Sequence, residues 1–452
     1  MASTRLTKTF SSSGNRNKWT ISMWIERSKL GSATQTLFAC YQNGSYKTRL
    51  HIESDDELYF NDEYNGNTNG RIVSNAKLRD TNAWYHIVGI WDKDNSTSGD
   101  KIRFYINGER ITSFSDTGNA PANASTLNTD SLTHEIGAQN DANKFDGLMS
   151  HIHFCDGYAY EPTEFGETDS TTGEWKIKTS PSVSYGTNGF WILKDGNSVT
   201  DQSPNTNNWT ISGTLTKTED NPSNVFATMN PLNVPTSNAP SFSNGNTTSI
   251  SSSSGGDNGK WGGCTTLGMT SGKFYCEAKA TVDGTYSRNV IGITGDSANI
   301  ARSNGSIFNG THSWGWYSEN GSISGNGSAN IQTGTTYGTG DIVMMALDLD
   351  NNKLYYGKNG SWVYSGVPTS GSTGTGAISI IAANTTNDGA YFFAQTDDTG
   401  TSAQSKFEFN FGNGYFGSTA VSSAGTNASN NGIFEYDVPT GYTALSTKGL
   451  NL

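Results

Sequence analysis

Charged residues are scarce in this chain. They make up 15 % of its 452 residues, whereas globular proteins usually carry about 25 %. Helical periodicity is nearly absent, and no apolar run approaches the ~20 residues that a membrane span needs. The first residues, MASTRLTKTFSSSG, lack the apolar core of a secretory signal, so we expect synthesis in a cytoplasm and no export by that route.

Basic residues are outnumbered by acidic ones, and the net charge is −12. This excess argues against nucleic acid or an anionic membrane as a main partner. Cysteine is rare as well, with four residues and no C-x-x-C pair. Cys264 and Cys276 flank a turn and would face each other if the turn closes a hairpin, but reduced, buried thiols are the favoured interpretation.

Glycine and aromatic residues are what the chain has in quantity. There are 53 glycines, and 11 % of all residues are aromatic. Short runs with rings, separated by Gly, Asn and Ser turns, are typical of all-β proteins. In KIRFYING (101–108), apolar residues alternate and the strand ends in Asn-Gly, a strong hairpin signal. The sequence therefore predicts an all-β fold of two antiparallel β-sandwich domains of the jelly-roll type.

One strand in the second half is apolar on both faces. In DIVMMALDLD (341–350), Met344 and Ala346 point one way, and Val343 and Met345 point the other. Such a strand belongs in the middle of a sheet that is covered on both sides.

The domain boundaries follow from where this pattern fades and resumes. We place the first sandwich at 1–195, a linker at 196–221 and the second sandwich at 222–416. The tail, 417–452, carries enough rings to pack back onto the body.

Each half resembles a known family. In the first, WTISMWI, RLHI, ELYF, WYHIVGIWD, KIRFYINGER and FDGLMSHIHF resemble the LamG/concanavalin A-like jelly roll over about residues 5–195. In the second, SGKFYCEAK, HSWGWY, GDIVMMALDLDNNKLYYGKNG and FNFG resemble a SPRY domain over about residues 222–416.

The connector DQSPNTNNWT…NPSNVFATMNP and the closing FEYDVPTGYTALSTKGLN resemble structural proteins of tailed phages that infect aquatic bacteria. The resemblance implies a non-enzymatic virion component, such as a tail fibre, appendage or capsid-surface protein. Its implied partners are other virion proteins and a host-surface glycan, and it would be a homo-oligomer or present in many copies. The alternative is a glycan depolymerase on the first domain.

That alternative depends on HIESDDELYF (51–60), which places Glu53, Asp55 and Glu57 at alternate positions. On one strand these acids would share a face, as a retaining glycosidase requires. A continuous strand would, however, bury Ser54 and Asp56 in an apolar stripe. We therefore predict a turn around SDD with its carboxylates in water.

Two groups of residues are candidate metal ligands. Asp92, Asp94 and Asp100 crowd the loop WDKDNSTSGDK and could bind calcium, which would be the only cofactor. In SHIHFC, the alternation of His151, His153 and Cys155 offers three zinc ligands, although a semi-buried sheet face explains it better.

Binding loops are expected at one end of the second sandwich, in YSENGSISGNGS. The candidate contact residues there are Tyr317, Glu319, Asn320 and Asn326. Trp314 and Trp316 share a strand face, and we interpret them as core residues rather than as a sugar-stacking surface.

Overall fold

In the computed structural model, the chain folds almost entirely into antiparallel β-sheets. The structure describes residues 4–118, 120–194, 196–235, 239–251, 262–283, 289–300, 308, 310–397 and 404–451, without the side chains of 282–283 and 299–300. It forms two compact units, one of residues 1–217 and 221–223, the other of 218–220 and 224–452. The prediction of an all-β protein with two antiparallel sandwich domains is confirmed.

The first domain packs an eight-stranded sheet on a six-stranded one, in the orders β10-β6-β5-β4-β3-β11-β1-β16 and β15-β12-β2-β7-β8-β9, with a separate pair β13-β14. The strands are β1 (Arg5–Thr9), β2 (Lys18–Arg27), β3 (Gln35–Asn43), β4 (Tyr46–Ile52), β5 (Glu57–Tyr64), β6 (Asn67–Lys77), β7 (Trp84–Asp92), β8 (Ile102–Ile106), β9 (Glu109–Arg110), β10 (Phe114–Thr117), β11 (Thr133–Ile136), β12 (Gly147–Asp156), β13 (Gly166–Thr168), β14 (Trp175–Ile177), β15 (Phe190–Ile192) and β16 (Thr210–Ser212).

The second domain packs a nine-stranded sheet on a six-stranded one. The first runs β17-β18-β30-β20-β25-β26-β27 with β28 on β26 and β33 on β20; the second runs β19-β29-β21-β22-β23-β24, and β31-β32 form a separate pair. The strands are β17 (Ser241–Ser243), β18 (Thr248–Ile250), β19 (Gly263–Cys264), β20 (Lys273–Asp283), β21 (Asn289–Thr294), β22 (Ser313–Tyr317), β23 (Ile323–Gly325), β24 (Ser328–Gln332), β25 (Ile342–Asp348), β26 (Lys353–Lys358), β27 (Ser361–Trp362), β28 (Ile378–Ser379), β29 (Phe392–Asp397), β30 (Gln404–Asn410), β31 (Tyr415–Phe416), β32 (Thr419–Ala420) and β33 (Thr443–Ala444).

Helices are short in the described ranges. One α-helical turn, α1, spans Ser297–Ile300, and none of the described helices is long and apolar enough to cross a membrane. The 3₁₀ turns are Ser98–Asp100, Pro162–Glu164, Val363–Ser365, Pro368–Thr373, Ala383–Thr385 and Gly449–Asn451.

Large rings fill the core of the first domain, as the aromatic content predicts. Trp19 and Trp91 are at most 1 % exposed and stack with their ring centroids 6.1 Å apart, and Phe60 packs against both. Truncating such a ring to alanine typically costs about 3–5 kcal/mol of folding free energy.

The strand that is apolar on both faces lies inside the nine-stranded sheet. In β25, Val343 and Met345 point into the core between the sheets, and Met344 and Ala346 point outward. The tail covers this outer side with Phe434, Val438 and Tyr442. Because β25 is buried on both sides, both of its faces are apolar.

The segment 196–217 differs from the linker that its composition predicts. It belongs to the first domain, where β16 pairs with β1 and extends the eight-stranded sheet. Trp209 is 4 % exposed and packs against Phe190, with ring centroids 4.9 Å apart. One buried indole and one edge strand are enough to order a segment that is otherwise Asn, Ser and Thr.

Candidate functional site

The acidic stretch 53–57 closes a hairpin, as predicted. β4 ends at Ile52 and β5 begins at Glu57. Between them, the Asp56 N–H donates to the Glu53 carbonyl at 3.0 Å, and Asp56 has a φ of 67°. Aspartate tolerates this left-handed conformation better than most residues.

The prediction that these carboxylates lie in water is wrong for Glu57, which is 9 % exposed, and for Asp56. The residue exposure of Asp56 is 4 %. The Arg27 guanidinium donates to Oδ1 at 3.0 Å, Arg79 donates to Oδ2 at 3.1 Å, and the Gly31 N–H donates to Oδ1 at 2.9 Å. Burial raises the pKa of Asp56, but these donors outweigh it and hold the pKa below its usual value. Arg27 comes from β2, so the turn sequence gives no sign of this partner.

The neighbouring acids are also engaged. Glu53 lies 3.0 Å from His51 Nε2 and accepts from Thr34 at 2.6 Å, and its pKa is lowered to about 2, chiefly by the hydrogen bond with His51. Glu57 is 9 % exposed, pairs with Lys77 at 3.2 Å and accepts from a serine hydroxyl. Asp55 accepts from the Tyr59 hydroxyl at 2.9 Å. The three acids therefore brace the hairpin.

The same hairpin turns a different set of residues towards the outer face of the eight-stranded sheet. Leu50, Ile52, Leu58 and Phe60 point into the core, so their neighbours in β4 and β5 point outward. With the matching positions of β3, they form a surface that we call the platform, which consists of Ala39, Tyr41, Lys47, Arg49, His51, Tyr59, Asn61 and Glu63.

Strand pairing sets the residues of the platform in rows. Arg49 lies opposite Asn61 on one side and Ala39 on the other. Arg71 of β6 continues this row beyond Asn61. Directly opposite residues have Cβ atoms about 5 Å apart. The row therefore sets the backbone positions of two arginines on either side of one asparagine.

Unpartnered polar atoms lie along this row. Asn61 is 4 % exposed, and its Oδ1 has no hydrogen-bond partner, while its Nδ2 donates to Glu63 at 3.1 Å. The Nε atoms of Arg49 and Arg71 are also buried and unpartnered. A buried polar atom without a partner costs about 1–3 kcal/mol, so a ligand that supplies the missing partner would gain from binding here.

Aromatic rings flank the row. Tyr59 and Tyr41 are partly exposed, and the Tyr59 ring lies against His51 with centroids 5.1 Å apart. Burial lowers the pKa of His51 to about 4, so this ring is neutral at pH 7. The platform therefore combines ring faces with planar polar groups. The sequence contains the signal for it, because the polar residues alternate with the core residues of the hairpin.

The structure does not bring the three candidate calcium ligands together. Asp92 pairs with Lys18 at 3.2 Å, Asp94 with Lys93, and Asp100 with Arg110, each at 2.5 Å. In the described part of the chain, no group of three His, Cys, Asp or Glu residues is placed to hold a metal ion. Each aspartate thus has a cation of its own.

The alternation of SHIHFC is broken by a bulge. His151 has a φ of 47°, and the register of β12 against β2 shifts between Ser150 and His153. His153 is 2 % exposed, and its Nδ1 lies 2.9 Å from the Tyr185 hydroxyl. Cys155 is buried in an apolar cluster. The interpretation as a semi-buried sheet face fits this environment.

All four cysteines are buried free thiols, so the interpretation of Cys264 and Cys276 as unbridged is confirmed. They belong to different sheets, Cys264 in β19 and Cys276 in β20. Burial raises the pKa of Cys264 to about 12. A thiol in such surroundings is unreactive.

The candidate loop of the second domain is only partly a surface. Tyr317 is 8 % exposed and packs with Val290 and Ala394, which corrects its assignment as a contact residue. It ends β22, whose alternation sends its ring into a small apolar cluster. Trp314 and Trp316 are at most 2 % exposed, as the core interpretation requires.

The other three candidates, Glu319, Asn320 and Asn326, are exposed. The Asn320 side chain accepts from the Ser322 N–H at 2.9 Å, and the Asn326 side chain accepts from the His312 N–H at 3.2 Å. Both asparagines therefore hold turns.

Comparison with known proteins places the first domain. Residues 4–164 match the family described as the concanavalin A-like lectin/glucanases superfamily, which agrees with the LamG-like resemblance of the first half. This part of the chain has a lectin/glucanase-like fold. No curated protein sequence matches the chain.

Solved structures overlap with parts of the chain. The SPRY domain of human HERC1 is 14 % identical, covers 35 % of this chain and 86 % of its own, and has a TM-score of 0.26. A heptameric SAP-like pentraxin from Limulus polyphemus is 18 % identical, with coverage of 33 % and 69 % and a TM-score of 0.26. The enzymatically active domain of tailspike protein 2 of bacteriophage CBA120 is 13 % identical, with coverage of 35 % and 25 % and a TM-score of 0.27. Overlaps this small do not bear on ligand or activity.

Proposed function

We propose that the chain is a non-enzymatic carbohydrate-binding protein whose first domain binds a glycan on the platform. The observation that carries this proposal is the row of unpartnered polar atoms on Arg49, Asn61 and Arg71 beside partly exposed tyrosine rings. Planar polar groups and ring faces are what a sugar needs, since hydroxyls take directional hydrogen bonds and C–H faces pack on rings.

Binding without hydrolysis is supported by the state of the acids. A retaining glycosidase needs two carboxyl groups about 5 Å apart, one of them free to protonate the leaving oxygen. Here Glu53 has a pKa of about 2 and is held by His51 and Thr34, and Glu57 is paired with Lys77. Glu53 is therefore ionised at neutral pH and cannot serve as the general acid, and Glu57 is engaged in an ion pair.

The biological setting that we propose is a tailed-phage virion, with the chain as a tail fibre, appendage or capsid-surface protein. The glycan would then belong to the host surface, and the remaining contacts would be to other virion proteins in a homo-oligomeric or multi-copy arrangement. Many copies suit a shallow site, because multivalency strengthens binding by about 10²–10⁴ where the geometry permits. No cofactor is required for this role, and calcium at Asp92, Asp94 and Asp100 is not part of it.

A glycan array with the full chain tests the proposal. We expect binding that weakens about fivefold in Tyr59→Ala, since an aromatic contact contributes on the order of 1 kcal/mol. Tyr158→Ala is the matched control, because Tyr158 is 40 % exposed and lies after β12, outside the platform. Equal binding by both variants would remove the platform from the proposal.

A second measurement on the same glycans distinguishes the depolymerase alternative from binding without hydrolysis. We expect no release of reducing ends from any polysaccharide that the protein binds. Release that is lost in Glu53→Gln and kept in Glu109→Gln, at an exposed carboxylate of the other sheet, would replace the binding role by hydrolysis at the hairpin.

A further inference from the structure

Arg49 differs from the other basic residues on and around the platform. Arg5 pairs with Glu135 at 3.2 Å, and Lys47 pairs with Glu63 at 3.0 Å. Among the described residues, Arg49 has no carboxylate within 4.0 Å, and its closest hydrogen-bond acceptor is the Gln139 Oε1, at 3.4 Å from Nη1. The Arg49 guanidinium is partly buried, and its hydrogen-bond contact to the amide oxygen is long. This contact compensates poorly for the hydration that burial removes.

The position of Arg49 leaves its charge available to a ligand. β3 lies between β4 and β11, and Ala39 is the residue of β3 opposite Arg49. The arginine side chain therefore spans β3 over a methyl group to approach Gln139 beyond β11. On its other side is Asn61, with the free Oδ1. The acceptor and the cation thus lie on the same sheet face, Asn61 on one side of β4 and the guanidinium on the other side, over β3.

The surrounding charges select among anions. Glu63 and Glu135 flank the row, and Asp116 pairs with Arg71 at its end. The chain as a whole carries a net charge of −12. A ligand with two or more charges on each unit, such as a highly sulfated chain, would place more charge against these carboxylates than one guanidinium can balance, and would be repelled. A ligand with one carboxylate in each unit needs only one unpaired guanidinium.

We infer that the platform binds an acidic polysaccharide built of sugar units that each carry one carboxylate. This inference rests on the proposed function and names the class of glycan. Arg49 binds the carboxylate through its planar fork. Asn61 Oδ1 accepts a sugar hydroxyl, and the rings of Tyr41 and Tyr59 contact the sugar on either side of the row.

Calorimetric titration of the full chain with two forms of one polymer tests the inference. Polygalacturonate carries a carboxylate on every unit, and its fully methyl-esterified form has the same backbone without the charge. We expect the acid form to bind and the ester to bind at least about tenfold more weakly, because a hydrogen-bonded ion pair contributes on that order. Arg49→Gln should lose the same factor for the acid form.

Arg110→Gln is the matched control, because Arg110 is an exposed arginine of β9 in the other sheet of the same domain. We expect no change in its affinity for polygalacturonate. Should Arg49→Gln fail to fold, Arg49→Lys keeps the charge without the planar fork and should weaken binding several-fold.

Two outcomes would overturn the inference in distinguishable ways. If both polymer forms bind equally and Arg49→Gln binds them unchanged, the platform does not recognise the carboxylate, and the proposed glycan binding still stands. Binding of neutral polysaccharides alone would mean the same. Binding of no polysaccharide, acidic or neutral, removes the proposed function together with the inference.

Discussion

In the first domain, a neutral histidine holds the segment that covers the six-stranded sheet, whereas in the second domain a glutamate holds the tail that covers the nine-stranded sheet. His86 lies under Trp175, whose indole N–H donates to Nδ1 at 2.9 Å. Glu277 accepts the backbone N–H groups of Glu435 and Tyr436, each at 2.8 Å. Both groups are at most 1 % exposed.

Burial moves the two pKa values in opposite senses, because it penalises the charged form of either group. It lowers the pKa of His86 to about 3, and it raises the pKa of Glu277 to about 7 despite the hydrogen bonds from the tail. In each domain, one sheet is covered by a later segment of the chain. The two domains nevertheless respond to pH in opposite senses, because a histidine holds that segment in one and a glutamate holds it in the other.

The largest expected effect is the loss of the first domain in mild acid. Besides His86, burial lowers the pKa of His51 and His134 to about 4 and that of His153 well below its usual value. An unfolded chain binds protons at these rings below about pH 6.5, while the folded domain does not. The free energy of unfolding therefore falls as the pH falls from about 6.5 towards 4.

The combined loss of stability from these histidines in acid exceeds the opposing gain from Asp62. One pKa unit corresponds to about 1.4 kcal/mol, so the rings of His51, His86 and His134, each shifted by two units or more, can remove on the order of 8 kcal/mol, comparable to a whole domain's stability. Asp62 acts in the other direction, because burial raises its pKa to about 6. Hydrogen exchange followed by mass spectrometry at pH about 7 and 4.5 resolves the domains. Loss of protection in the second domain first would break the comparison.

The next largest effect concerns the buried ion pair of Arg27 and Asp56. In the second domain, Glu277 holds the tail through backbone N–H groups instead, an arrangement that we call the tail clamp. Arg27 has a side-chain exposure of 0 %, and its partner Asp56 has 6 %. Arg27→Met leaves a buried carboxylate with one exposed cation, and such a loss typically costs about 3–5 kcal/mol. Urea unfolding of the first domain measures it.

Arg79→Met provides the control, since Arg79 binds the same carboxylate with 58 % of its side chain exposed. We expect a loss of at most about 1 kcal/mol, as for other exposed pairs. Equal losses in the two variants would mean that burial does not decide the strength of this pair.

The sequence predicts strands and turns better than it predicts partners. Alternation gives the faces of β4, β5 and β25, and the turn between Ile52 and Glu57 follows from the cost of burying acids. The partner of Asp56 comes from β2, a strand of the other sheet, and the pattern along the chain does not reveal which strands meet. Tyr317 is misassigned for the same reason, because a loop end becomes a core position only once its neighbours are known.

The platform is a surface that the sequence pattern contains but does not single out. Its residues are the complement of the core pattern in one hairpin, so they are visible in the sequence as soon as Leu50, Ile52, Leu58 and Phe60 are recognised as inward. The neighbours that give Arg49 its significance are Ala39, in the adjacent strand β3, and Gln139, which follows β11 on the other side of β3. Composition and spacing do not carry that information.

The smallest effect, and the sharpest test of the comparison, is the removal of the charge at the tail clamp. Glu277 has a folded-state pKa of about 7, against an ordinary value of about 4.3. The folded second domain therefore holds a proton that the unfolded chain releases between these values, and its stability falls by up to about 3 kcal/mol as the pH rises from 4.5 to 7. Glu277→Gln should abolish this slope.

The glutamine also has a cost of its own, because its Nε2 would face a backbone N–H where a carboxylate oxygen now accepts. We expect a loss of about 1–2 kcal/mol at pH 4.5. Near pH 7, where the unsubstituted protein has lost the stability of its bound proton, the variant should be as stable as that protein or up to about 2 kcal/mol more stable. Glu408→Gln, at a partly buried carboxylate paired with Lys406 at 2.8 Å, should keep the slope. Urea unfolding of the second domain at both pH values measures the three proteins. A slope that persists in Glu277→Gln would assign the pH response to another group and leave the tail held by packing alone.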